Sequence, residues 1–435
     1  METKLLSILM LITLLALTGC GGNGIDVPSD HREPGKIVQS EAQRVTAPDV
    51  TEAGVAELVV GSSAFAFDLY QQAVRGENGN LFYSPYSISM ALAMTYAGAR
   101  GETEQQMADT LHFTLPQDRL HPAFNALDLE LASRAEGTEG QDEEGFRLNI
   151  VNSIWGQSDY SFLSEFLDVL AKNYGAALRL LDFENAPEES RQVINEWVSD
   201  QTEGRIEDLI PQGVINELTR LVLANAIYFN AAWSHPFEGE QTRDGTFHLL
   251  DGSQVTVPMM KQTELFGYSE GEGYQAIELP YVGEKLSMVI LLPAAGLFGE
   301  FEKSLDAERV DAIVEDLAQK NVALTMPKFE FDSSFQLADT LAGMGMPHAF
   351  SPEAANFSGM DGTRHLFIQD VVHKSFISVD EAGTEAAAAT GVVVGITSAP
   401  SSPVEVTVDR PFVFLIRDLE TKAILFVGRA VNPNV

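Results

Sequence analysis

Apolar and polar residues along the chain follow helical and strand-like patterns in turn, without a regular β-α repeat. Some segments carry apolar residues at helical spacing, and continuous or alternating apolar runs typical of strands separate them. The predicted helices cover residues 55–73, 84–97 and 188–200. The predicted strands cover residues 146–155, 221–233, 286–292, 412–416 and 424–427, the last two as a hairpin. This irregular mixture favours the α+β class over a doubly wound sheet.

The first twenty residues have the pattern of an export signal. Lys4 precedes an apolar run at residues 5–17, which is too short to span a bilayer as a helix but fits the core of a signal peptide. The run ends in Leu-Thr-Gly-Cys, which resembles a prokaryotic lipobox, and Cys20 is the only cysteine of the chain. We therefore expect a signal peptide at residues 1–19 and lipidation of Cys20. The alternative is an ordinary signal peptide that contains a cysteine by chance.

The segment after Cys20 lacks a sustained apolar period. It contains three prolines and scattered charges before the helical pattern begins at residue 55. Such a composition is typical of a flexible tether. We expect a lipidated tether at residues 20–54, a domain at 55–435, and an exported chain that is anchored in a membrane at the cell surface or in the periplasm.

The composition is that of a folded and strongly acidic protein. Hydrophobic residues make up 45% of the chain, which is too much for a disordered one. The 27 Lys and Arg against 63 Asp and Glu give a net charge of −36. A surface of this charge repels nucleic acid phosphates, and the segment 120–134, where a heparin site would be expected, is poor in basic residues. We expect neither nucleic acid nor heparin as a partner.

The chain offers little to support an enzyme. None of its eight histidines stands in a His-Glu-x-x-His zinc motif, and no phosphate-binding Gly-x-x-x-x-Gly-Lys-[Ser/Thr] loop occurs. Acidic pairs are abundant only because acidic residues are abundant, so they do not indicate a glycosidase. We therefore expect no enzymatic activity, no cofactor and no metal site.

Residues 381–390 read Glu-Ala-Gly-Thr-Glu-Ala-Ala-Ala-Ala-Thr and suit either a loop or a strand. The alanine run is too short to form a stable helix on its own. The alternate residues Thr384, Ala386, Ala388 and Thr390 are small and uncharged. As a strand, this face could be buried between other strands without an unpaired charge. The alternative is an alanine-rich surface linker.

This segment closely resembles the hinge of inhibitory serpins, and other stretches match the same family in the right order. They are NLFYSPYSISMALAMTYAGARGET at 80–103, INEWVSDQTEGRIEDL at 194–209, LVLANAIYFNAAWSHPF at 221–237, MPKF at 326–329, ANFSGM at 355–360, VVHK at 371–374 and VDRPFVFLIRD at 408–418. The resemblance covers residues 55–435, and the ordered set is far more specific than any one motif.

The resemblance implies a serpin-like α+β fold with about three β-sheets, eight or nine helices and an exposed reactive-centre loop. It also implies a suicide-substrate inhibitor, in which a protease cuts the loop and the loop inserts into the central sheet. The family pattern assigns three groups of residues. The hinge is Glu381, Gly383, Thr384, Ala386, Ala388 and Thr390; the gate, where the central strands part, is Ser84, Ser87, Asn225 and His373; the top of the sheet is Trp233, Lys328 and Glu381.

The resemblance locates the reactive bond to within about three residues. The family spacing from the hinge points to Thr397-Ser398, whereas counting back from Pro411 points to Pro400; we adopt Thr397-Ser398 because insertion length depends on the hinge side. Residues 396–399 are small or aliphatic. We therefore expect an elastase-like or subtilisin-like serine protease as target, with a cysteine protease as the other partner class. We expect a monomer; the alternative function is a non-inhibitory binding or adhesion module.

Overall fold

The three helices and five strands that the hydrophobic pattern predicts are present, and each begins and ends within three residues of its predicted position. The computed structural model describes residues 35–135, 147–384 and 402–434, which all belong to one unit. The first helix begins three residues before its predicted start because Thr51 caps it: the Thr51 hydroxyl accepts a hydrogen bond from Gly54 N. The apolar runs at 221–233 and 286–292 are strands, and the predicted C-terminal hairpin is present.

The described residues contain ten α-helices and sixteen strands. The helices are α1 Glu52–Ala73, α2 Pro85–Tyr96, α3 Gly101–Thr110, α4 Gln117–Ala132, α5 Ser164–Tyr174, α6 Pro187–Gln201, α7 Phe298–Lys303, α8 Ala307–Glu315, α9 Ala338–Met344 and α10 Ser358–Asp361. The strands are β1 Lys36–Val38, β2 Leu81–Tyr83, β3 Arg147–Gln157, β4 Leu178–Leu181, β5 Leu221–Ala232, β6 Arg243–His248, β7 Gln254–Gly271, β8 Tyr274–Pro280, β9 Leu286–Pro293, β10 Ala318–Pro327, β11 Phe329–Gln336, β12 Asp370–Val379, β13 Gly383–Thr384, β14 Val404–Thr407, β15 Phe412–Asp418 and β16 Ile424–Ala430.

The strands form two sheets. In the first, termed the central sheet, the order is β1-β4-β3-β5-β13-β12-β11, and β5 also pairs directly with β12. In the second sheet the order is β14-β10-β7-β8-β9-β15-β16-β2, with β6 on β7.

The α+β class is confirmed, but the expected counts of three sheets and eight or nine helices are corrected to two and ten within the described ranges. Two parts of the second sheet join because the long strand β7 pairs with β10 over residues 259–268 and then with β8 over 267–271. The additional helices include α7 and α10, of 6 and 4 residues, which are too short to show an apolar period.

Helix α2 lies between the two sheets, and all 12 of its residues are buried. It contacts β3 and β5 of the central sheet and β16 of the second sheet. Beside it, Phe229 of β5 packs against Phe426 of β16 with ring centroids 5.5 Å apart, and Phe82 stacks on Phe426 at 4.9 Å. The first turn of α2 is therefore held directly beneath the middle of the central sheet.

Part of the segment predicted as a tether is bound to the domain. Strand β1 pairs antiparallel with residues 178–180 at the edge of the central sheet. Arg44 donates from Nε to Asn125 Oδ1 at 2.8 Å and pairs with Asp128 of α4 at 2.5 Å. Residues 36–45, termed the N-terminal strap, thus differ from the prediction, because their partners are distant in sequence and leave no local pattern. The division of the chain at residue 55 stays a prediction.

The variant Arg44→Ala is expected to lower the melting temperature by a few degrees. Asn125 is fully buried, and its oxygen would lose a charged donor, a loss of about 1–3 kcal/mol. Lys422→Ala is the matched control, because it removes the same charge from a mostly exposed pair with Glu315, which is worth about 0–1 kcal/mol. Calorimetry at one heating rate compares the three proteins. Equal melting temperatures would show that the contacts of Arg44 contribute no stability.

Candidate functional site

The structure brings the four predicted gate residues together between β5, β12 and the start of α2. Ser84 caps α2, and its hydroxyl accepts a hydrogen bond from Ser87 N at 3.1 Å. Asn225 donates from Nδ2 to Ser87 Oγ at 2.6 Å and stands opposite His373 in the parallel pairing of β5 with β12. All four residues are fully buried. This set is termed the gate cluster.

A backbone contact determines the protonation state of His373. The N–H of Ser84 donates to Nε2 of His373 at 3.2 Å, so Nε2 carries no proton. Nδ1 therefore carries the proton and donates it to Asn225 Oδ1. Burial lowers the pKa of His373 to about 3, which keeps the ring neutral near pH 7. A protonated ring would lose the Ser84 contact and leave a charge without a counterion in the core.

Asn152 of β3 is a further member of the gate cluster, and sequence reasoning missed it. Asn225 Nδ2 also donates to Asn152 Oδ1, and Ser87 Oγ donates to the same oxygen at 3.3 Å. The register of β3 on β5 places Asn152 opposite Asn225. A polar residue within an otherwise alternating strand was the only available signal.

The predicted residues at the top of the sheet meet where β5 ends and β13 begins. Lys328 Nζ donates to Glu381 Oε2 at 2.7 Å, and Thr242 Oγ1 donates to Glu381 Oε1 at 2.7 Å. Burial alone would raise the pKa of Glu381, but these two hydrogen bonds outweigh it and hold the pKa below its usual value. Trp233 donates from Nε1 to Asp380 O at 3.0 Å, so the chain leading to the hinge is held on both sides.

The central sheet is open at one end and closed along the rest of the boundary between β5 and β12. Gly383 and Thr384 form β13, which pairs antiparallel with the end of β5 on one side and the end of β12 on the other. Farther along, β5 and β12 pair directly and in parallel over residues 222–227 and 370–375. The close approach of β13 to β5 requires glycine at position 383, because a Cβ there would lie 2.2 Å from Ala231 O.

Some predicted site residues lie outside the described ranges, and their roles stay predictions. They are Ala386, Ala388 and Thr390 of the hinge, Thr397 and Ser398 of the reactive bond, and Cys20.

A Gly-x-Ser-x-Gly pattern at residues 267–271 does not form a nucleophile elbow. Ser269 lies within strand β7, is almost fully buried and donates to Ile313 O at 3.2 Å. An elbow needs an exposed serine on a turn between a strand and a helix. Within the described part of the chain, no group of three or more His, Cys, Asp or Glu could hold a metal ion.

At the open end of the central sheet, the start of the hinge lies between β5 and β12. Comparison with known families identifies the fold to which this arrangement belongs. The model of the family Serpin (serine protease inhibitor) matches residues 61–433. The chain belongs to the serpin family. An uncharacterized serpin-like protein of Thermococcus kodakarensis is 41% identical over 433 residues, which cover 98% of each chain. The leukocyte elastase inhibitor of Xenopus laevis is 40% identical over 85% of this chain and 97% of its own.

Solved serpin structures have the same fold. The crystal structure of a thermophilic serpin, tengpin, in the native state superposes with a TM-score of 0.80 at 28% identity, covering 91% of this chain and 97% of tengpin. The serpin fold expected from the sequence motifs is therefore confirmed.

Acid is expected to destabilise this serpin through two buried neutral histidines. Burial lowers the pKa of His373 to about 3, and burial together with the charge of Arg100 lowers that of His121 to about 4. In the unfolded chain both pKa values are about 6.5. As the pH falls below that value the unfolded state binds protons first, so the stability that the neutral rings contribute is complete above about pH 6.5 and declines until the folded pKa values are passed.

Melting temperatures between about pH 7.5 and 5 test this dependence. In the variants His373→Gln and His121→Gln, the melting temperature should fall less steeply with pH than in the wild type. The difference corresponds to up to about 1.4 kcal/mol of unfolding free energy per pH unit for each histidine, and the double variant should show the smallest decline. A double variant that declines as steeply as the wild type would assign the acid sensitivity to carboxylates.

Proposed function

We propose that the protein is a suicide-substrate inhibitor of serine proteases, which acts by inserting its cleaved reactive loop into the central sheet. The observation that carries this proposal is β13, which already lies between β5 and β12 at the open end of the sheet. To continue, the loop must replace the direct pairs between residues 222–227 and 370–375 with two new sets of pairs. Insertion therefore gains more backbone hydrogen bonds than it loses.

The first pairs define the register that an inserting loop would follow. Thr384 stands opposite Ala231 of β5, so Thr390, six residues farther, would stand opposite Asn225. On the other side, the pairing with β12 would place Thr390 opposite His373. An inserted loop would thus reach the gate cluster after six residues and would have to part its two strands there.

The side chains of the hinge suit such a burial. Thr384 is 1% exposed on the core side of the sheet, and in a strand Ala386, Ala388 and Thr390 share its face. All are small and uncharged, so they would enter the core without an unpaired charge. The described end of the hinge therefore supports the extension proposed for the residues beyond it.

The proposed reaction begins at the Thr397-Ser398 peptide bond. The Oγ of the protease serine attacks the carbonyl carbon of Thr397 and forms an ester, while the bond to the nitrogen of Ser398 breaks. The serine proton passes through the protease histidine to the leaving amine. The freed loop then inserts before water hydrolyses the ester, and the attached protease is carried to the far end of the sheet and distorted.

Insertion has a substantial driving force. Each additional backbone hydrogen bond contributes about 0.5–1.5 kcal/mol net, so ten or more contribute on the order of 10 kcal/mol. The uncut protein is then held in its form by a kinetic barrier rather than by equilibrium. The buried gate cluster is the proposed source of part of that barrier, because parting β5 from β12 breaks its hydrogen bonds.

An elastase-like or subtilisin-like serine protease is the proposed target. Residues 396–399 are small or aliphatic, which suits a small or apolar specificity pocket. The similarity to leukocyte elastase inhibitors supports the same class. We further propose that the chain acts as an exported monomer anchored through lipidated Cys20, as the Leu-Thr-Gly-Cys motif indicates.

A complex assay tests inhibition. Mixing the protein with pancreatic-type elastase or with subtilisin should give a complex that survives boiling in detergent, and mass analysis should place the cut at Thr397-Ser398. The variant Thr397→Arg should redirect complex formation toward trypsin, because it offers a basic side chain to the aspartate of the trypsin pocket. If a broad protease panel only cleaves the loop and the melting temperature stays unchanged, the protein is a binding or adhesion module instead.

The variant Gly383→Ala is expected to turn the inhibitor into a substrate. Its Cβ would lie 2.2 Å from Ala231 O and 2.7 Å from Ala232 Cα, so β13 could no longer pair with β5. Elastase should then cleave the loop with several times more turnover per complex formed. Gly343→Ala is the matched control, because a Cβ there meets nothing within 4 Å. Wild-type stoichiometry in Gly383→Ala would show that insertion does not require this approach.

A further inference from the structure

Tyr281, which follows strand β8, contacts Thr384, the residue of β13 that pairs with both β5 and β12. The hydroxyls of Tyr281 and Thr384 share a hydrogen bond of 2.8 Å, and each residue is 1% exposed. Burial raises the pKa of Tyr281, so the hydroxyl keeps its proton. Strands β8 and β9 belong to the second sheet. The bond therefore connects the hinge to the turn between β8 and β9. This turn is also joined to the end of β5, through a bridge between Trp233 and Tyr281 and a hydrogen bond from Val282 N to Ala232 O at 2.8 Å.

The ring of Tyr281 is held firmly in place. It stacks on Trp233 with a centroid distance of 4.7 Å and an interplanar angle of 9°, and it packs edge-on against Phe229 at 5.3 Å. Its backbone N donates to Leu286 O at 2.9 Å. A ring fixed in this way presents its hydroxyl at one position, so it can select one position of its partner.

Together, Trp233 and Tyr281 hold the hinge at three atoms. Trp233 donates from Nε1 to Asp380 O at 3.0 Å and from its backbone N to Ala382 O at 2.9 Å. Tyr281 adds the bond to the Thr384 hydroxyl. The first two bonds are accepted by backbone carbonyls of the turn between β12 and β13. The third reaches a side chain that already lies between β5 and β12.

Thr384 occupies a position that insertion does not need to change. It pairs with Ala231 of β5 and with Val379 of β12 at the same time, so a longer inserted strand continues from it in register. The first pair of any added strand is the costly one, because it orders chain before neighbouring pairs exist to stabilise it. A chain that has already formed this pair needs only to extend it.

We propose that Tyr281 is a positioning residue, which holds Thr384 in its inserted register before the loop is cut and so speeds loop insertion relative to hydrolysis of the acyl-enzyme ester. This inference rests on the proposed inhibitory function. The Lys328–Glu381 pair does not serve the same purpose: the two side chains are 36% and 20% exposed, and Glu381 precedes the paired residues.

Hydrogen exchange of the uncut full-length protein tests the contact directly. Tyr281→Phe keeps the stacked ring and removes the hydroxyl, and Thr384→Val keeps the branched shape and removes the other partner. Amides of residues 380–384 should exchange about three- to tenfold faster in either variant, the effect of losing one buried hydrogen bond. Tyr174→Phe is the matched control, since it removes a hydroxyl bonded to His121 Nδ1 at 2.7 Å, away from the hinge. Unchanged exchange in both hinge variants would overturn the proposal.

Inhibition kinetics test the consequence. With elastase, each single variant should raise the moles of inhibitor cleaved per complex by about three- to tenfold, and the double variant no more than either single one, because both remove the same bond. Faster exchange with wild-type stoichiometry, or effects that multiply in the double variant, would overturn the positioning role. A wild-type chain that forms no complex with any protease contradicts the proposed function itself. Exchange then still decides whether Tyr281 holds the hinge.

Discussion

The direct pairing of β5 with β12 is the interaction on which the rest of this structure depends. Strand β12 is paired with β11 along its other edge, so a strand joining the middle of the sheet must compete with β5 for the same backbone groups. At one end β13 has already replaced this contact on both sides. In the same sheet, β5 and β12 therefore pair directly over most of their common length and are separated by β13 at one end.

The gate cluster makes the closed arrangement persistent. Its buried side chains hydrogen-bond to one another, and the neutral ring of His373 links β12 both to Asn225 and to the backbone at the start of α2. Parting the strands would leave several of these groups without partners, which costs more than the loss of a solvent-exposed hydrogen bond. A cluster of this kind opposes spontaneous opening.

The central sheet is joined to other parts of the domain at its edge and at its open end. The N-terminal strap supplies the edge strand β1 and contacts α4 through Arg44, and Asp128 of α4 in turn accepts a hydrogen bond from Tyr86 of α2 at 3.3 Å. At the open end of the sheet, Tyr281, in the turn between β8 and β9, shares a hydrogen bond with Thr384. The edge strand and the hinge are thus each held by residues of other helices or turns of the domain.

By itself, the sequence determined the α+β class, the positions of the three helices and five strands with clear apolar patterns, the acidic charge, the small residues of the hinge, and the family through its ordered motifs. These properties depend on the spacing of apolar residues, on secondary-structure propensity and on residue type, all of which can be read within short segments of the chain. Only the tertiary structure decided that Asn152 joins the gate cluster, that residues 36–45 bind the domain, and that Tyr281 reaches Thr384. Each of these contacts joins segments far apart in the chain, and the strand register and packing that create them leave no periodic trace in either segment.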